Sequence, residues 1–182
     1  MITTIGLLEF NSISQGIKVA DIMKKAADVD LILAQPTCPG KYTILISGDV
    51  SAVKSSVKSG IEKGDPFVVD HLVISRIHNQ LLNAINATTE IEKVNAVGVL
   101  EYFSIASAII GADAAAKAAQ VDLIQVRLGT GLGGKAYVTF TGDVSAVKQA
   151  LNAGAAAGKD NGMLYNKVFI SSPDKDVFKT LL

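Results

Sequence analysis

The chain contains the same seven residues twice: Gly48-Asp49-Val50-Ser51-Ala52-Val53-Lys54 recurs unchanged as Gly142-Asp143-Val144-Ser145-Ala146-Val147-Lys148. In each copy, glycine and aspartate precede valines at helical spacing, a pattern typical of a turn from a strand into a capped helix. An identical stretch of this length indicates an internal duplication. The fold is therefore predicted one half at a time.

The duplication extends outward from this stretch. Ile5-Gly6-Leu7-Leu8-Glu9 corresponds to Val97-Gly98-Val99-Leu100-Glu101, at an offset of 92 residues. From Gly40-Lys41, which matches Gly134-Lys135, the offset is 94. The second copy therefore carries two extra residues, and they fall in the loop that corresponds to the one holding Cys38.

Each half is predicted to have the order β-α-β-β-α-β-α. In the first half the strands cover residues 3–9, 29–34, 42–47 and 66–75, and the helices cover 12–27, 49–63 and 78–85. The second half repeats this order, with strands at 96–101, 121–128, 136–141 and 163–171 and helices at 104–119, 143–158 and 174–182. The predicted fold class is α/β (α+β), a ferredoxin-like mixed sheet with helices. The predicted domains are 1–86 and 94–182, with 87–93 as linker.

Apolar residues recur at helical spacing in the first two helices. Ser12 is a candidate N-cap of the first helix, and Ile13, Ile17, Ala20 and Met23 follow it at helical spacing. Asp49 or Ser51 is a candidate cap of the second helix, in which we expect three valines to point inward: Val50, Val53 and Val57.

Composition excludes several classes of protein. Lysine plus arginine and aspartate plus glutamate are both 17 among 182 residues, so the basic excess expected for nucleic-acid or anionic-membrane binding is absent. No apolar run approaches the roughly 20 residues of a membrane-spanning helix. The first residues lack the features of a signal peptide, and one cysteine permits no internal disulfide. We expect a cytoplasmic protein with extensive subunit contacts.

The only cysteine lies in Pro36-Thr37-Cys38-Pro39-Gly40, which predicts a stiff surface turn rather than strand or helix. Cys38 is a spare surface thiol, a buried thiol, or one ligand of a shared site. One thiolate cannot hold an iron–sulfur cluster, but a threefold axis brings three copies together. Three Cys38 thiolates can then bind three irons of a [4Fe–4S] cluster.

The corresponding loop, Gly129-Thr130-Gly131-Leu132-Gly133-Gly134, satisfies the G-x-G-x-x-G pattern of dinucleotide sites. That pattern requires a helix after the loop, whereas residues 135–141 predict a strand. A nucleotide-binding regulator is therefore the weaker hypothesis. His71 and His78 lack metal-ligand spacing, and Glu9 and Glu101 recur at equivalent strand ends, which indicates a structural role. Nothing in the sequence indicates an active site, so we expect no enzyme.

Both halves resemble the bacterial microcompartment (BMC) shell domain. The resemblance is carried in the first half by Ile5-Gly6-Leu7-Leu8-Glu9, Ala20-Asp21 with Lys25-Ala26-Ala27-Asp28-Val29, Gly40-Lys41 and Gly48-Asp49-Val50-Ser51-Ala52-Val53. Two unpermuted copies resemble the tandem-domain shell proteins, which form trimers that imitate a hexamer. The stretch Thr37-Cys38-Pro39-Gly40-Lys41 resembles the PduT-like, iron–sulfur-binding subtype of propanediol-utilisation compartments.

The resemblance implies roles for several residues. The loops holding Cys38 and residues 129–134 would line a central pore, and Lys25, Lys117 and Arg76 would contact neighbouring tiles, although Ser172 replaces the arginine in the second half. It also implies a homotrimeric tile in the shell of a cytoplasmic microcompartment, with a [4Fe–4S] cluster for electron transfer or cluster delivery. Its partners would be other shell proteins and encapsulated redox enzymes. The alternative is a metabolite-conducting pore without a cluster.

Overall fold

The computed structural model describes residues 4–91, 93, 95–159 and 163–181. By packing, the chain divides into unit 1, which ends at Ile77, and unit 2, which begins at His78. The predicted first residue of the first strand, Thr3, and the predicted last residue of the last helix, Leu182, lie outside the described residues.

Unit 1 contains one four-stranded sheet and two helices. Its elements are β1 (Thr4–Phe10), α1 (Ile13–Ala26), β2 (Val29–Thr37), β3 (Lys41–Gly48), α2 (Val50–Gly64) and β4 (Val68–Ser75). The strand order in the sheet is β2-β3-β1-β4. The predicted succession of elements is confirmed.

Unit 2 repeats this arrangement after a short helix. Its elements are α3 (Leu81–Ile85), β5 (Ala96–Tyr102), α4 (Ile105–Ala118), β6 (Val121–Leu128), β7 (Ala136–Gly142), α5 (Val144–Lys159), β8 (Leu164–Ile170) and α6 (Lys175–Lys179). The strand order, β6-β7-β5-β8, is the same as in unit 1. The internal duplication therefore holds in three dimensions.

Both sheets are antiparallel throughout, so the prediction of a mixed sheet is wrong. Strands β1 and β2 are joined through a helix and run parallel, but β3 lies between them and pairs antiparallel with both. In the same way β1 separates β3 from β4. The ferredoxin-like order inserts one strand into each parallel pair, which leaves only antiparallel neighbours.

The packing division falls earlier than the predicted domain boundary at residue 86. Helix α3 packs on β6, which makes it part of unit 2. Leu81 and Ala84 are at most 1% exposed there. The sequence assigned this helix to the first half by repeat equivalence, whereas burial of its apolar side assigns it to the second.

The predicted Ser12 cap forms, and Ser104 makes the equivalent cap in the second half. The hydroxyl oxygens of Ser12 and Ser104 accept hydrogen bonds from the backbone N–H groups of Gln15 and Ser107, so α1 and α4 begin in the same way. Asp49 occupies the N-cap position of α2, but its side chain makes no capping hydrogen bond.

The core of unit 1 lies between its sheet and its two helices. Val53 and Val57 of α2 are buried there, together with Leu8, Phe10, Met23, Ile44 and Ile46. The prediction that Val50 points into the core is wrong. Val50 is 40% exposed, because it is the first residue of α2 and the helix does not continue before it.

Helix α1 presents apolar residues on two sides. Val19, Ala20 and Met23 pack in the core. Ile13 and Ile17, which share the predicted helical spacing with them, are 39% and 55% exposed. Helical spacing shows that the two isoleucines share one side of α1, but it does not show which side the sheet covers.

Within the described part of the chain, no helix combines the length and apolarity that a membrane crossing requires.

Candidate functional site

The Cys38 turn connects β2 to β3, and it is shorter than predicted. Strand β2 continues through Pro36 and Thr37, which lie opposite Tyr42 and Lys41 in the ladder. The prediction of a non-strand turn from Pro36 onward is therefore wrong. Proline is tolerated here because β2 is an edge strand, where a missing N–H does not break the sheet.

The turn itself consists of Cys38, Pro39 and Gly40. Cys38 is half-buried and its thiol is free, while Pro39 and Gly40 are exposed. The Cys38–Pro39 peptide bond is cis. Gly40 has a φ of 81°, which favours glycine, and a Cβ atom placed on it would meet nothing within 4 Å. The turn is therefore open at Gly40, two residues after the half-buried thiol.

The base of the turn is fixed by buried polar contacts. Thr37 is buried, and its hydroxyl oxygen lies 2.9 Å from that of Thr43. The ammonium group of Lys41 donates to the carboxylate of Glu9 at 3.1 Å, and the Glu9 side chain is only 2% exposed. The first contact joins β2 to β3 across the turn, and the second joins β3 to β1.

The second loop has a matching ion pair at its base. Lys135 donates to Glu101 at 2.5 Å, and its ammonium group lies 4.4 Å from the centre of the Tyr165 ring. The hydrogen bond from Lys135 to Glu101 raises the pKa of the lysine. The sequence indicates a structural role for the two glutamates, but their lysine partners were not predicted. The recurrence of both glutamate and lysine at equivalent positions was the available signal.

The loop between Leu128 and Ala136 is formed largely by glycine in left-handed conformation. Gly129, Gly131, Gly133 and Gly134 have φ values between 61° and 87°. The loop leads into β7 and not into a helix. The context of a dinucleotide site is therefore missing, as the sequence indicated.

In the described residues no group of three or more histidine, cysteine, aspartate or glutamate side chains is arranged to hold a metal ion. His71 is an exposed residue of β4. The backbone N–H of His78 donates to Asp113, and its ring nitrogen Nδ1 accepts from the N–H of Gln80. The chain therefore contributes one thiol, that of Cys38, to any shared site.

The three residues assigned to tile edges lie on the surface. Lys25 pairs with Asp21 at 2.7 Å, and both side chains are more than half exposed. Lys117 makes the equivalent pair with Asp113, whose side chain is only 9% exposed. Arg76 is exposed just after β4 and has a φ of 54°. The edge assignments themselves stay predictions.

Comparison with known proteins gives one family match. The BMC domain matches residues 4–77 and 96–173. The bacterial microcompartment shell protein PduT of Citrobacter freundii is 35% identical over 182 residues, which cover 100% of this chain and 99% of that protein.

The solved structures similar to this chain include two microcompartment proteins. A microcompartment protein from Desulfitobacterium hafniense DCB has a TM-score of 0.93 at 48% identity, covering 98% of this chain and 99% of that one. A fused permuted hexameric shell protein of the RMM microcompartment has a TM-score of 0.63 at 22% identity, covering 85% and 83%, which indicates a shared fold.

Proposed function

We propose that this chain, which belongs to the BMC-domain family of bacterial microcompartment shell proteins and carries two copies of that domain, is a structural tile with a metal-binding pore. Family membership confirms the resemblance predicted from the two repeats. The tile is a ring of three copies, in which six BMC domains imitate a hexamer. The loops of Cys38 and of residues 129–134 then surround one axis.

The Cys38 turn carries the metal-binding part of the proposal. Three Cys38 thiolates, one from each copy, hold three irons of a [4Fe–4S] cluster. The half-buried position of Cys38 in a three-residue turn supports this role, as does the open space beside Gly40. Such a cluster supplies one-electron transfer or a cluster that can be delivered to another protein. The ion pair between Lys41 and Glu9 holds the base of each turn.

Fusion of two domains explains why the pore loops differ. Six identical domains would place six identical loops around the axis, whereas the fused chain alternates two kinds. One kind carries Cys38 on a turn of three residues. The other is glycine-rich, and Cβ atoms placed on Gly131 or Gly133 would meet nothing within 4 Å. Its backbone N–H groups are suited to donate to cluster sulfides.

A pore that conducts metabolites without a cluster is the second candidate function. The observation in its favour is the loop of residues 129–134, where four glycines have no side chains to narrow an opening. In this function Cys38 stays an unliganded thiol.

Measurement of iron and acid-labile sulfide distinguishes these functions. The protein is purified anaerobically, reconstituted with iron and sulfide, and assayed per three chains. We expect about four irons and four sulfides with broad absorbance near 400 nm. Cys38→Ser should lose both while sedimenting as the same oligomer. Thr130→Ser in the other loop is the matched control and should keep the cluster.

Two results would contradict the proposal in different ways. Wild-type protein that binds no iron after reconstitution favours the conducting pore. A Cys38→Ser variant that keeps its colour removes Cys38 as the ligand.

The proposed partners follow from the tile. They are neighbouring shell proteins at its edges and encapsulated redox enzymes that exchange electrons or clusters with the pore. We also propose that the shell is that of a propanediol-utilisation compartment. The tile itself catalyses no reaction in this proposal.

A further inference from the structure

Equivalent residues of the two units differ sharply in exposure. In α1, Ile13 and Ile17 are 39% and 55% exposed. Their equivalents in α4, Ile105 and Ile109, are 3% and 0% exposed. The next strand shows the same contrast, because Leu31 of β2 is 45% exposed, whereas its equivalent Leu123 of β6 is fully buried. We call Ile13, Ile17 and Leu31 the open face of unit 1.

The segment of residues 78–85 lies beside the equivalent face of unit 2. Its helix α3 contacts α4 and β6. Leu81 is fully buried, and the backbone N–H of His78 donates to Asp113 of α4 at 2.7 Å. The open face of unit 1 has an equivalent acceptor in Asp21, which is exposed.

A side-chain amide fastens this segment to β6. The Gln80 amide group donates to the carboxylate of Asp122 at 2.9 Å. Its amide oxygen accepts from the backbone N–H of Leu123 at 3.0 Å. Because β6 is an edge strand, this second bond satisfies a backbone group on its outer side.

The second half ends with the equivalent of this segment. Ile74-Ser75 matches Ile170-Ser171, which aligns Leu81 with Val177 and Gln80 with Asp176. Helix α6 is held on the sheet of unit 2 by Phe178, which is 1% exposed and packs with Val97 and Ile124. Val177, in contrast, is 53% exposed. Residues 174–181 are therefore already packed on the sheet of unit 2, and the side chain of Val177 is left exposed.

We propose that residues 174–181 of a second copy cover the open face of unit 1, as residues 78–85 occupy the equivalent face of unit 2. Val177 then lies against Ile17 and Leu31, and Asp21 accepts the backbone N–H of Asp174. The contact is head-to-tail, which is the kind that closes a ring. The inference rests on the proposed tile and specifies the surface through which its copies associate.

The contact between copies is weaker than its template within the chain. Asp176 replaces Gln80, and Asp30 is the equivalent of Asp122. A carboxylate accepts from the N–H of Leu31 but cannot donate to Asp30, so two like charges meet where the template has a hydrogen bond. Lys179, which donates to Asp176 at 2.9 Å, offsets this repulsion only in part.

Sedimentation of dilute protein tests the apolar part of the contact. Ile17→Glu and Val177→Asp should each raise the protein concentration at half-assembly by at least about tenfold, because each places a charge against an apolar surface. Both residues are exposed in the single chain, so the thermal unfolding of each subunit should change little. Val50→Asp, at a 40% exposed position of α2, is the matched control and should assemble as the wild type does.

Asp176→Gln tests the polar part with the opposite sign. It restores the amide of the template, so the concentration at half-assembly should fall by about threefold or more. Asp65→Asn, an exposed carboxylate at the end of α2, is the control for removal of a negative charge and should have no effect.

The outcomes separate the inference from the proposed function. If Ile17→Glu and Val177→Asp assemble as the wild type does, the surface is wrong, although the tile stands. Weaker assembly of Asp176→Gln overturns the assigned alignment with Gln80. A wild-type protein that is monomeric at all concentrations overturns the inference and the tile together.

Discussion

Two lysine–glutamate pairs hold equivalent positions below the two loops, but their surroundings differ. The Glu9 side chain is 2% exposed, whereas that of Glu101 is 30% exposed. A charge in the less exposed position depends more on its partner, because water replaces the lost interaction poorly.

This difference predicts unequal costs for removing the lysines. Lys41→Met should lower the free energy of unfolding by about 2 kcal/mol, and Lys135→Met should lower it by less. Urea unfolding of the two variants measures this comparison. Equal losses would show that the burial of Glu9 does not determine the cost.

Burial of Tyr102 disfavours the ionised form of its side chain. Its hydroxyl donates to the carbonyl oxygen of Gly154 at 2.9 Å, and burial raises its pKa well above the usual value. An unfolded chain ionises tyrosine near about pH 10. Above that pH the unfolded state releases a proton that the folded state keeps, so Tyr102 contributes less stability as the pH rises.

The difference in stability between Tyr102→Phe and the wild type should therefore depend on pH. Near neutral pH the variant should lose about 1 kcal/mol, because the Gly154 carbonyl loses its donor. Above about pH 10 the difference should shrink, since phenylalanine has no proton to lose. Urea unfolding over this pH range provides the measurement, and a constant difference would argue against burial as the cause of the shift.

Helices α4 and α5 approach each other through glycine. A Cβ atom on Gly154 of α5 would lie 2.9 Å from the carbonyl oxygen of Gly111 in α4 and 2.4 Å from Cδ1 of Leu100. A Cβ atom on Gly111 would lie within van der Waals overlap of the Tyr102 hydroxyl. The separation of the two helices is therefore set by residues without side chains.

Gly154→Ala should destabilise unit 2 even though alanine favours a helix. Overpacking against a backbone oxygen should cost about 1–3 kcal/mol, more than the gain in helix propensity. Differential scanning calorimetry should show a lower Tm. Asn152→Ala, at an exposed position of the same helix, is the control and should change stability by less than about 0.5 kcal/mol.

At the scale of the whole molecule, the two units carry different side chains at the equivalent position after the fourth strand. Arg76 follows β4 in unit 1, and Ser172 follows β8 in unit 2. With Arg76 at a tile edge, as predicted, its guanidinium group can donate hydrogen bonds to another tile. The equivalent position in unit 2 has no guanidinium group.

Arg76→Ala should abolish extended sheets of tiles in electron micrographs while leaving the sedimentation of the single tile unchanged. Ser172→Arg is the reciprocal variant and should promote sheet formation by adding a donor to the other edge. Sheets that persist in Arg76→Ala would assign the tile contact to other residues.

The sequence predicts where in the chain the two loops of the candidate site lie, but not the backbone structure of the strand that leads into the first one. Repeat alignment located the Cys38 loop and the loop of residues 129–134 at equivalent points, because turn residues are a local signal. The extension of β2 through Pro36 was missed, because proline in a strand is acceptable only at a sheet edge, and sheet order is not local.

The sequence by itself determined the duplication, the order of the elements, the Ser12 cap and the two unequal loops, since each depends on residues close together in the chain. Only the tertiary structure decided that the sheets are antiparallel, that Lys41 pairs with Glu9, and that α3 belongs to unit 2. It also decided that Ile17 is open while Ile109 is covered. The physical reason is that hydrophobic periodicity identifies the apolar side of a helix, whereas residues distant in the sequence determine what packs against that side.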